Sequence, residues 1–534
     1  MSEEIFDHVI VGGGTAAGII AWRLTEAGRS ILVLEAGPRD DNFYHRVPAG
    51  FIKTLFDPRV TWQLASEPNP NSDNRPIQYT QGRVLGGSSS VNGMVYNRGQ
   101  RADFDYWAQL GNRGWGYDDI LPYFRRTERL EGEGDDTYRG REGRLDVSTS
   151  PWPSAVVDAF IESALGRGHP YNPDYNGARH EGVGRYQSAI GRGRRMSTAN
   201  AFLHPARRKG AMVRTDALVT RIVMEGRRAT GVAYLHHGAA KQVKARRGVI
   251  VSAGTTNTPK LLQLSGIGPV DLLKQHGIDV VQALPGVGEN FHDHYSPRLV
   301  VRLREGVDSL NAHVTGLPLV GQVARWLTGW PSILALSPAL VHLFGRSNPA
   351  FDITDYSLVF TPGSYRQGFI GRLDDFPGMT CGAWQMRPES RGHVRIASVD
   401  VRDAPRLDAN YLGEEKDRIV LVAALREARA ILSSEPLAAL ADRELFPGSD
   451  VQSDDEWLGF ARQYGNSSYH LVGTAKMGPA TDPMAVVDDR LRVHGLDGLH
   501  VVDASVMPVI PSANTYAATM MIAEKASDMI LSDA

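Results

Sequence analysis

FDHVIVGGGTAAGIIAWRLTEAGRSILVLEAG, at residues 6–37, is the stretch that decides the fold. The apolar run His8–Val11 predicts a strand, Gly12–Gly14 predicts a tight turn, and the residues that follow predict a helix. A second apolar run, Ile31–Leu34, ends at the acid Glu35. This order of strand, turn, helix, strand and acid within about thirty residues is typical of a dinucleotide-binding unit.

The turn has the spacing G-x-G-x-x-A through Gly12, Gly14 and Ala17. Gly12 permits the tight turn, and Gly14 lets the backbone approach a pyrophosphate, which is expected at the helix N-terminus. Ala17, with Gly18 beside it, keeps the helix close to the sheet. Glu35 is placed to accept hydrogen bonds from ribose hydroxyls, which disfavours NADP. The alternative is a glycine-rich turn in an ordinary α/β unit, and this motif does not separate FAD from NAD.

The composition indicates a globular protein with more than one domain. The chain has 534 residues, of which 42% are hydrophobic and 22% charged. With 58 basic and 60 acidic residues the net charge is −2, and without a basic block nucleic acid is not expected as a partner. The single cysteine, Cys381, excludes an internal disulfide and a multi-cysteine metal site. The first strand begins near Met1 without a signal peptide, so we expect a cytoplasmic protein.

One segment has the length of a membrane span. Residues Trp326–Gly345 contain no charged side chain. They also contain Pro331, Pro338 and His342, so we interpret the segment as broken helices that form a lid or a packing element. No transmembrane segment is expected, and peripheral membrane contact is the alternative.

Two further stretches combine small residues with sharp turns. Gln81–Met94 has no charge after Arg83 and predicts backbone lying flat against a planar ligand, the alternative being a tight buried turn. Gly254–Gly268 again predicts strand, glycine and helix start, with Thr258 as the cap. The basic stretch Arg192–Lys209 is interpreted as a solvated face around a helix start.

A metal site is not expected. His292, Asp293 and His294 stand side by side, but adjacent residues on a strand point to opposite faces. From about Ser296 to Tyr464 the chain mixes strand-like runs with one long helix and contains no nucleotide motif. This region suits a substrate domain inserted into the cofactor domain.

Five blocks in order carry a resemblance to a known family. They are the fingerprint at Gly12–Glu35, the loop Gly82–Met94, the block Gly254–Gly268, and the blocks around His470 and Asn514. The chain resembles the glucose–methanol–choline (GMC) oxidoreductases, which are FAD enzymes that act as alcohol oxidases or dehydrogenases. The resemblance spans nearly all of the chain.

The resemblance implies an α/β fold, α+β overall. A Rossmann-like FAD-binding domain would be formed by residues 1–150, 195–300 and 465–534. A substrate-binding domain, built on an antiparallel sheet flanked by helices, would be formed by residues 151–194 and 301–464.

The resemblance also implies FAD as the cofactor and a set of residues that hold it. Some family members attach FAD covalently through a histidine, but Val91 occupies that position here, so noncovalent FAD is predicted. The predicted cofactor-binding residues are Gly12, Gly14, Thr15, Ala16, Glu35, Ala36, Arg83, Gly87, Ser88, Asn92, Gly93, Met94, Val219, Asp503, Ala504, Asn514 and Thr515.

For catalysis the resemblance implies His470 as the base and Asn514 as its hydrogen-bonding partner. A neutral histidine suits removal of a hydroxyl proton near pH 7, while the hydride passes to flavin N5. The alternative for His470 is a satisfied core histidine. Two positions depart from the pattern of many bacterial members: Tyr516 stands where an Asn is common, and Ala518 where a Pro is common.

The substrate is less well defined by the sequence. Tyr469, Trp384 and Met386, with Tyr356 and Phe360, are candidates to line an apolar pocket, although such residues more often belong to the core. We expect a primary alcohol, apolar or aromatic, to be oxidised to the aldehyde, with O2 or another acceptor reoxidising the flavin. Choline is not favoured, because no glutamate can be assigned to a trimethylammonium site. The alternatives are a hydroxynitrile lyase that uses FAD structurally and a nonenzymatic FAD-binding protein.

Overall fold

The computed structural model describes residues 4–366 and 372–533. Its first sheet is built around parallel strands in the order Met212–Arg214, Ile31–Leu34, Ile5–Val11 and Ala239–Val251. The last of these pairs at its end with Leu499–Val501, also in parallel. All of Ile31–Leu34 is buried, as expected for a parallel sheet that is covered on both faces.

The first sheet is completed by two antiparallel strands: Arg228–His236 pairs with the beginning of Ala239–Val251, and Ala217–Glu225 pairs with Arg228–His236. Helix Thr15–Glu26 covers one face and packs against the last helix, Thr515–Ser532. Arg23 ties these helices together through ion pairs of 2.5 Å to Glu524 and 2.6 Å to Asp528.

The second sheet has six antiparallel strands and was predicted as the base of the substrate domain. Their order is Ala441–Phe446, Arg298–Leu303, Gly378–Gln385, Tyr356–Thr361, Val341–Gly345 and Gly182–Arg185. Helices Ala155–Gly166 and Glu415–Leu432 pack on one face, where Leu299, Cys381 and Phe360 belong to one buried cluster. Because side chains alternate along a strand, Arg298, Thr380 and Thr361 point to the opposite face, which lines a cavity.

The remaining elements connect these two layers. Short strands pair as Thr61–Ala65 with Gln78–Gly82, Glu128–Leu130 with Leu145–Thr149, and His393–Arg395 with Arg406–Asp408. The other helices are Phe51–Thr54, Arg101–Gln109, Tyr117–Thr127, His204–Arg208, Asn257–Leu264, Val270–Gln275, Gly316–Leu327, Leu437–Leu440 and Asp454–Tyr464.

Two details differ from the sequence-based expectations. Helix Asn257–Leu264 begins before Thr258, whose hydroxyl donates to Asp503 at 2.6 Å instead of capping the helix. Within Trp326–Gly345, the end of helix Gly316–Leu327 is followed by a short 3-10 turn and the strand Val341–Gly345. Among the described residues, no helix is long and apolar enough to cross a membrane.

Candidate active site

A long cavity begins at the carboxyl ends of the parallel strands. The residues that follow these strands, Gly12 and Gly14, Glu35, Ser252–Gly254 and Asp503, all line it. This is where open α/β sheets bind ligands. We call this end of the cavity the cofactor cleft. The other end, which we call the substrate chamber, is lined by Arg298, Val359, Thr361, Tyr365, Thr380, Gly382, Trp384 and Tyr469.

The two fingerprint glycines are required for different reasons. Gly12 has a φ of +94°, and a Cβ added there would lie 2.4 Å from the carbonyl oxygen of Ser252. Only glycine therefore fits this turn. At Gly14 an added Cβ would meet no protein atom within 3.9 Å. The space in front of Gly14 is open toward the cleft, as a pyrophosphate would require.

Glu35 organises the glycine turn as well as lining the cleft. Its carboxylate accepts the N–H of Gly13 at 2.7 Å and the N–H of Gly37 at 2.8 Å. Burial raises the pKa of this carboxyl to about 7, although these two N–H groups oppose the shift. The remaining lone pairs of the carboxylate are available to ribose hydroxyls.

Asp503 joins the last parallel strand to the block at Gly254. Its side chain accepts the N–H of Gly254 at 2.9 Å and the hydroxyl of Thr258 at 2.6 Å, and it also accepts the N–H of Ser505. This network fixes the backbone on the side of the cleft opposite Glu35.

The cleft has features that fit FAD. No side chain caps helix Thr15–Glu26 or helix Thr515–Ser532 at its N-terminus, and Thr15, Thr515 and Thr519 line the cavity. Uncapped helix starts offer N–H groups and a positive dipole end to an anion. Two such starts in one cleft suit the pyrophosphate and the electron-rich edge of a reduced flavin.

The predicted catalytic residues meet where the cleft and the chamber join. Asn514 Nδ2 lies 2.8 Å from His470 Nε2, and the ring centroid of His470 lies 6.0 Å from that of Trp384 in the chamber. The Oδ1 atom of Asn514 is buried and has no hydrogen-bond partner within residues 4–366 and 372–533. A buried amide oxygen without a partner indicates a site that a ligand completes.

A second histidine defines which nitrogen of His470 carries the proton. His294 Nε2 lies 2.8 Å from the carbonyl oxygen of Met386, and His294 Nδ1 lies 3.0 Å from His470 Nδ1. A carbonyl only accepts, so His294 carries its hydrogen on Nε2 and accepts at Nδ1. His470 therefore donates from Nδ1, which leaves an unprotonated Nε2 facing Asn514.

Both histidines are neutral in this arrangement. Burial lowers the pKa of His294 to about 4. Burial, reinforced by the neighbouring His294, lowers the pKa of His470 well below its usual value. A neutral His470 with an unprotonated Nε2, which accepts from Asn514 in this structure, is the form that a general base requires.

Asp293 holds the backbone of this histidine pair. Its Oδ1 accepts the N–H of His294 at 2.8 Å and the N–H of His470 at 2.7 Å, while Oδ2 accepts the hydroxyls of Tyr411 and Ser467. His292 instead accepts the N–H of Ile510 at Nε2 and donates to the Asn290 carbonyl. Within the described part of the chain, no group of three His, Cys, Asp or Glu side chains is arranged to hold a metal.

Most of the predicted site residues line the cavity. They are Gly12, Gly14, Thr15, Ala16, Glu35, Ala36, Gly87, Ser88, Asn92, Gly93, Met94, Val219, Trp384, Tyr469, His470, Asp503, Ala504, Asn514 and Thr515. Tyr516 also lines it, and its hydroxyl donates to the Met196 carbonyl at 3.0 Å.

Four predicted residues lie elsewhere. Arg83 packs over the ring of Trp62 at 4.8 Å and reaches back to the Ala36 carbonyl. Tyr356 and Phe360 point to the face of the second sheet that the helices cover, because they alternate with the cavity-lining Val359 and Thr361.

Met386 follows strand Gly378–Gln385 and is fully buried away from the cavity lining. It takes part in the site only through its carbonyl, which accepts from His294.

Several residues that shape the site were missed. His294 and Asp293 were considered only as metal ligands, although a His-Asp-His run in a buried segment is also a signal for a hydrogen-bonded network. Arg195 was expected in solvent, but it is 1% exposed and donates to the backbone and side chain of Asn92. Arg298 carried no sequence signal, because its place in the chamber depends on how the second sheet meets the cleft.

The comparisons with known proteins agree with this architecture. Family models described as GMC oxidoreductase match residues 6–296 and 388–523. An oxygen-dependent choline dehydrogenase of Staphylococcus aureus is 38% identical over 535 residues, covering 98% of this chain and 93% of the relative.

Among solved structures, pyridoxine 4-oxidase from Mesorbium loti is 29% identical with a TM-score of 0.87 and covers 98% of both chains. A fungal aryl-alcohol oxidase is 25% identical with a TM-score of 0.84 and covers 100% of both chains. The family models and the choline dehydrogenase relative match most of the chain. The protein therefore belongs to the GMC oxidoreductase family, whose members bind FAD and act on the CH–OH group of their donors.

Proposed function

We propose that this enzyme oxidises a primary alcohol of apolar or aromatic character to the aldehyde. The observation that carries the proposal is the unprotonated Nε2 of His470, placed 2.8 Å from Asn514 at the junction of the cleft and the chamber. FAD, when bound in the cleft, supplies the acceptor for the hydride that leaves the alcohol carbon.

Residues of this chain accept the hydroxyl proton of the alcohol and orient its oxygen. The substrate hydroxyl replaces Asn514 as the donor to His470 Nε2, which takes the proton as the carbon–hydrogen bond breaks. Asn514 Nδ2 carries two hydrogens and donates one to the substrate oxygen, which orients the alcohol. His294 accepts from His470 Nδ1 and keeps the imidazole in the tautomer that this step needs.

The chamber supports an aromatic substrate more than choline. Trp384, Tyr365 and Tyr469 line it and offer flat apolar faces. The carboxylates that line the described cavity are Glu35 and Asp503, both in the cofactor cleft. A trimethylammonium group would therefore find aromatic rings but no counter-charge in the chamber.

We propose that FAD is held noncovalently, since Val91 lines the cavity where the resemblance places the histidine of covalent members. The residues of the cleft named above would hold it. The predicted division into a cofactor domain and a substrate domain is retained in this proposal. O2 or another small acceptor would reoxidise the enzyme.

The test is the flavin absorbance of the purified holoenzyme, mixed without oxygen with benzyl alcohol, a furanic alcohol, a pyridine methanol and choline. We expect the aromatic alcohols to bleach the oxidised band and choline to leave it unchanged. Rapid return of the band in air indicates an oxidase, and slow return indicates a dehydrogenase with another acceptor. If no alcohol bleaches the flavin but a cyanohydrin is cleaved, the lyase alternative replaces this proposal.

A further inference from the structure

One cationic side chain lies in the substrate chamber. Arg298 opens strand Arg298–Leu303 and stands in register with Gly382 on the neighbouring strand. A Cβ added at Gly382 would lie 3.6 Å from Arg298 Cγ. The arginine stem thus lies beside this glycine, on the face of the sheet that lines the chamber.

No acidic partner in the described part of the chain neutralises this arginine. Within residues 4–366 and 372–533, its guanidinium makes no ion pair and no side-chain hydrogen bond, and residues 367–371 contain no acid. The half-buried Arg429, by contrast, binds Glu444 at 2.7 Å, and the buried Arg139 binds Glu128 at 2.9 Å. A half-buried guanidinium that faces a cavity without a partner is suited to a ligand anion.

The position of Arg298 relates it to the reacting end of the substrate. Its charge acts on the phenols of both Tyr365 and Tyr469 and opposes the rise in pKa that burial causes in them. Tyr469 directly precedes His470. The arginine therefore lies in the same chamber as the catalytic pair, with two aromatic side chains beside it.

We propose that Arg298 binds a carboxylate carried by the alcohol substrate, so that the preferred substrates are aromatic hydroxymethyl carboxylates. The inference rests on the proposed alcohol oxidation and adds no chemical step to it. One arginine matches the single negative charge of a carboxylate. The planar guanidinium can bind both carboxylate oxygens through two parallel hydrogen bonds. The aromatic residues would hold the ring between the carboxylate and the hydroxymethyl group.

The kinetic test compares 4-(hydroxymethyl)benzoate with 4-(hydroxymethyl)benzamide, which has the same shape and no charge. For the unchanged holoenzyme we expect kcat/KM to be about 10- to 100-fold higher for the carboxylate, the effect of one charged hydrogen-bonding contact. Arg298→Gln should bring the ratio close to one, by lowering kcat/KM for the carboxylate more than for the amide. Arg298→Lys should retain part of the preference.

A matched control lies on the same strand. Arg302 pairs with Glu305 at 2.8 Å and does not line the cavity. Arg302→Gln therefore removes the same charge from the protein and should leave the substrate preference unchanged. An equal loss of preference in this variant would overturn the assignment to Arg298.

A binding measurement does not depend on turnover. Titrating oxidised holoenzyme with benzoate should perturb the flavin spectrum, with a Kd that rises about 10-fold or more in Arg298→Gln. Benzamide should bind both proteins equally.

Two failures can be told apart. If both alcohols reduce the flavin at equal kcat/KM and benzoate binds no better than benzamide, the role of Arg298 is refuted and alcohol oxidation stands. If neither alcohol nor benzyl alcohol reduces the flavin, the proposed function itself is refuted.

Discussion

The cofactor cleft and the substrate chamber are built in opposite ways. The cleft is built from backbone in short contiguous stretches, and Glu35 serves there by holding the N–H groups of Gly13 and Gly37. The chamber is built from side chains that come from distant parts of the chain, such as Arg298, Trp384 and His470. A cleft of backbone is suited to one fixed cofactor, whereas a chamber of side chains can change its substrate by single substitutions.

The largest expected effect is on flavin reduction and comes from His470, where the chamber joins the cleft. His470→Gln should lower the rate of flavin reduction by about 10²- to 10⁴-fold, because the hydroxyl proton loses its acceptor. FAD content should stay normal, since His470 lies at the junction and not in the cleft. Stopped-flow reduction by benzyl alcohol measures the rate, with His276→Gln as the control, because His276 ends helix Val270–Gln275 outside the cavity lining. A rate within a factor of about three of the unchanged enzyme would contradict a base role for His470.

A smaller effect is expected from the partner of His470. His294→Phe removes the acceptor for His470 Nδ1–H and should slow flavin reduction by about 10- to 100-fold, as loss of groups that orient an imidazole does elsewhere. His294→Gln should recover much of the rate, because its amide oxygen can accept the same hydrogen. Equal rates for the two variants, at equal melting temperatures, would show that His294 only fills space.

Substitutions in the cofactor cleft should change the affinity for FAD and not the chemical step. Gly14→Ala places a methyl where no protein atom lies within 3.9 Å, so the FAD-free protein should keep its melting temperature. The Kd for FAD should nevertheless rise about 10- to 100-fold, because the methyl occupies the approach of the pyrophosphate. Gly12→Ala should instead destabilise the FAD-free protein itself, since its methyl meets the Ser252 carbonyl. Similar melting temperatures for FAD-free Gly14→Ala and Gly12→Ala would contradict the different roles of the two glycines.

The smallest effect concerns the pH dependence of FAD binding. Burial raises the pKa of Glu35 to about 7 in the FAD-free protein, and ribose hydroxyls that donate to the carboxylate would lower this pKa. FAD affinity should then be full above about pH 7 and fall below it, by at most about tenfold per pH unit. Calorimetric titrations at several pH values, with Glu35→Gln as a pH-independent reference, measure the slope. Parallel curves for the two proteins would exclude Glu35 as the titrating group.

The contrast between the cofactor cleft and the substrate chamber also explains which parts of the site could be predicted from the sequence. The strand, turn, helix and acid of residues 6–37 lie in one stretch, so local spacing was sufficient to predict the first sheet and Glu35. The cavity-lining face of the second sheet could not be predicted, because nothing in the run Tyr356–Thr361 says which of its alternating side chains face the helices. Tyr356 and Phe360 could therefore be named only as pocket candidates that are more often core residues, which is where they lie, and Arg298 was overlooked.

The contact between His294 and His470 could not be predicted from the sequence either. His470 was identified through its resemblance to a family motif, but His294 lies 176 residues earlier in the chain. Their contact depends on Asp293, which holds the backbone of both residues. Only the folded chain brings these three residues together.

The pairing of helix Thr15–Glu26 with helix Thr515–Ser532 has a consequence for biosynthesis. Arg23 is made 501 residues before its partner Glu524, a delay of about 25 to 100 s at usual rates of translation. During this interval the apolar side of the earlier helix, with Ile19 and Ile20, has no final partner. The two helices, whose N-termini both face the cofactor cleft, can therefore pair only after the C-terminal helix has been synthesised.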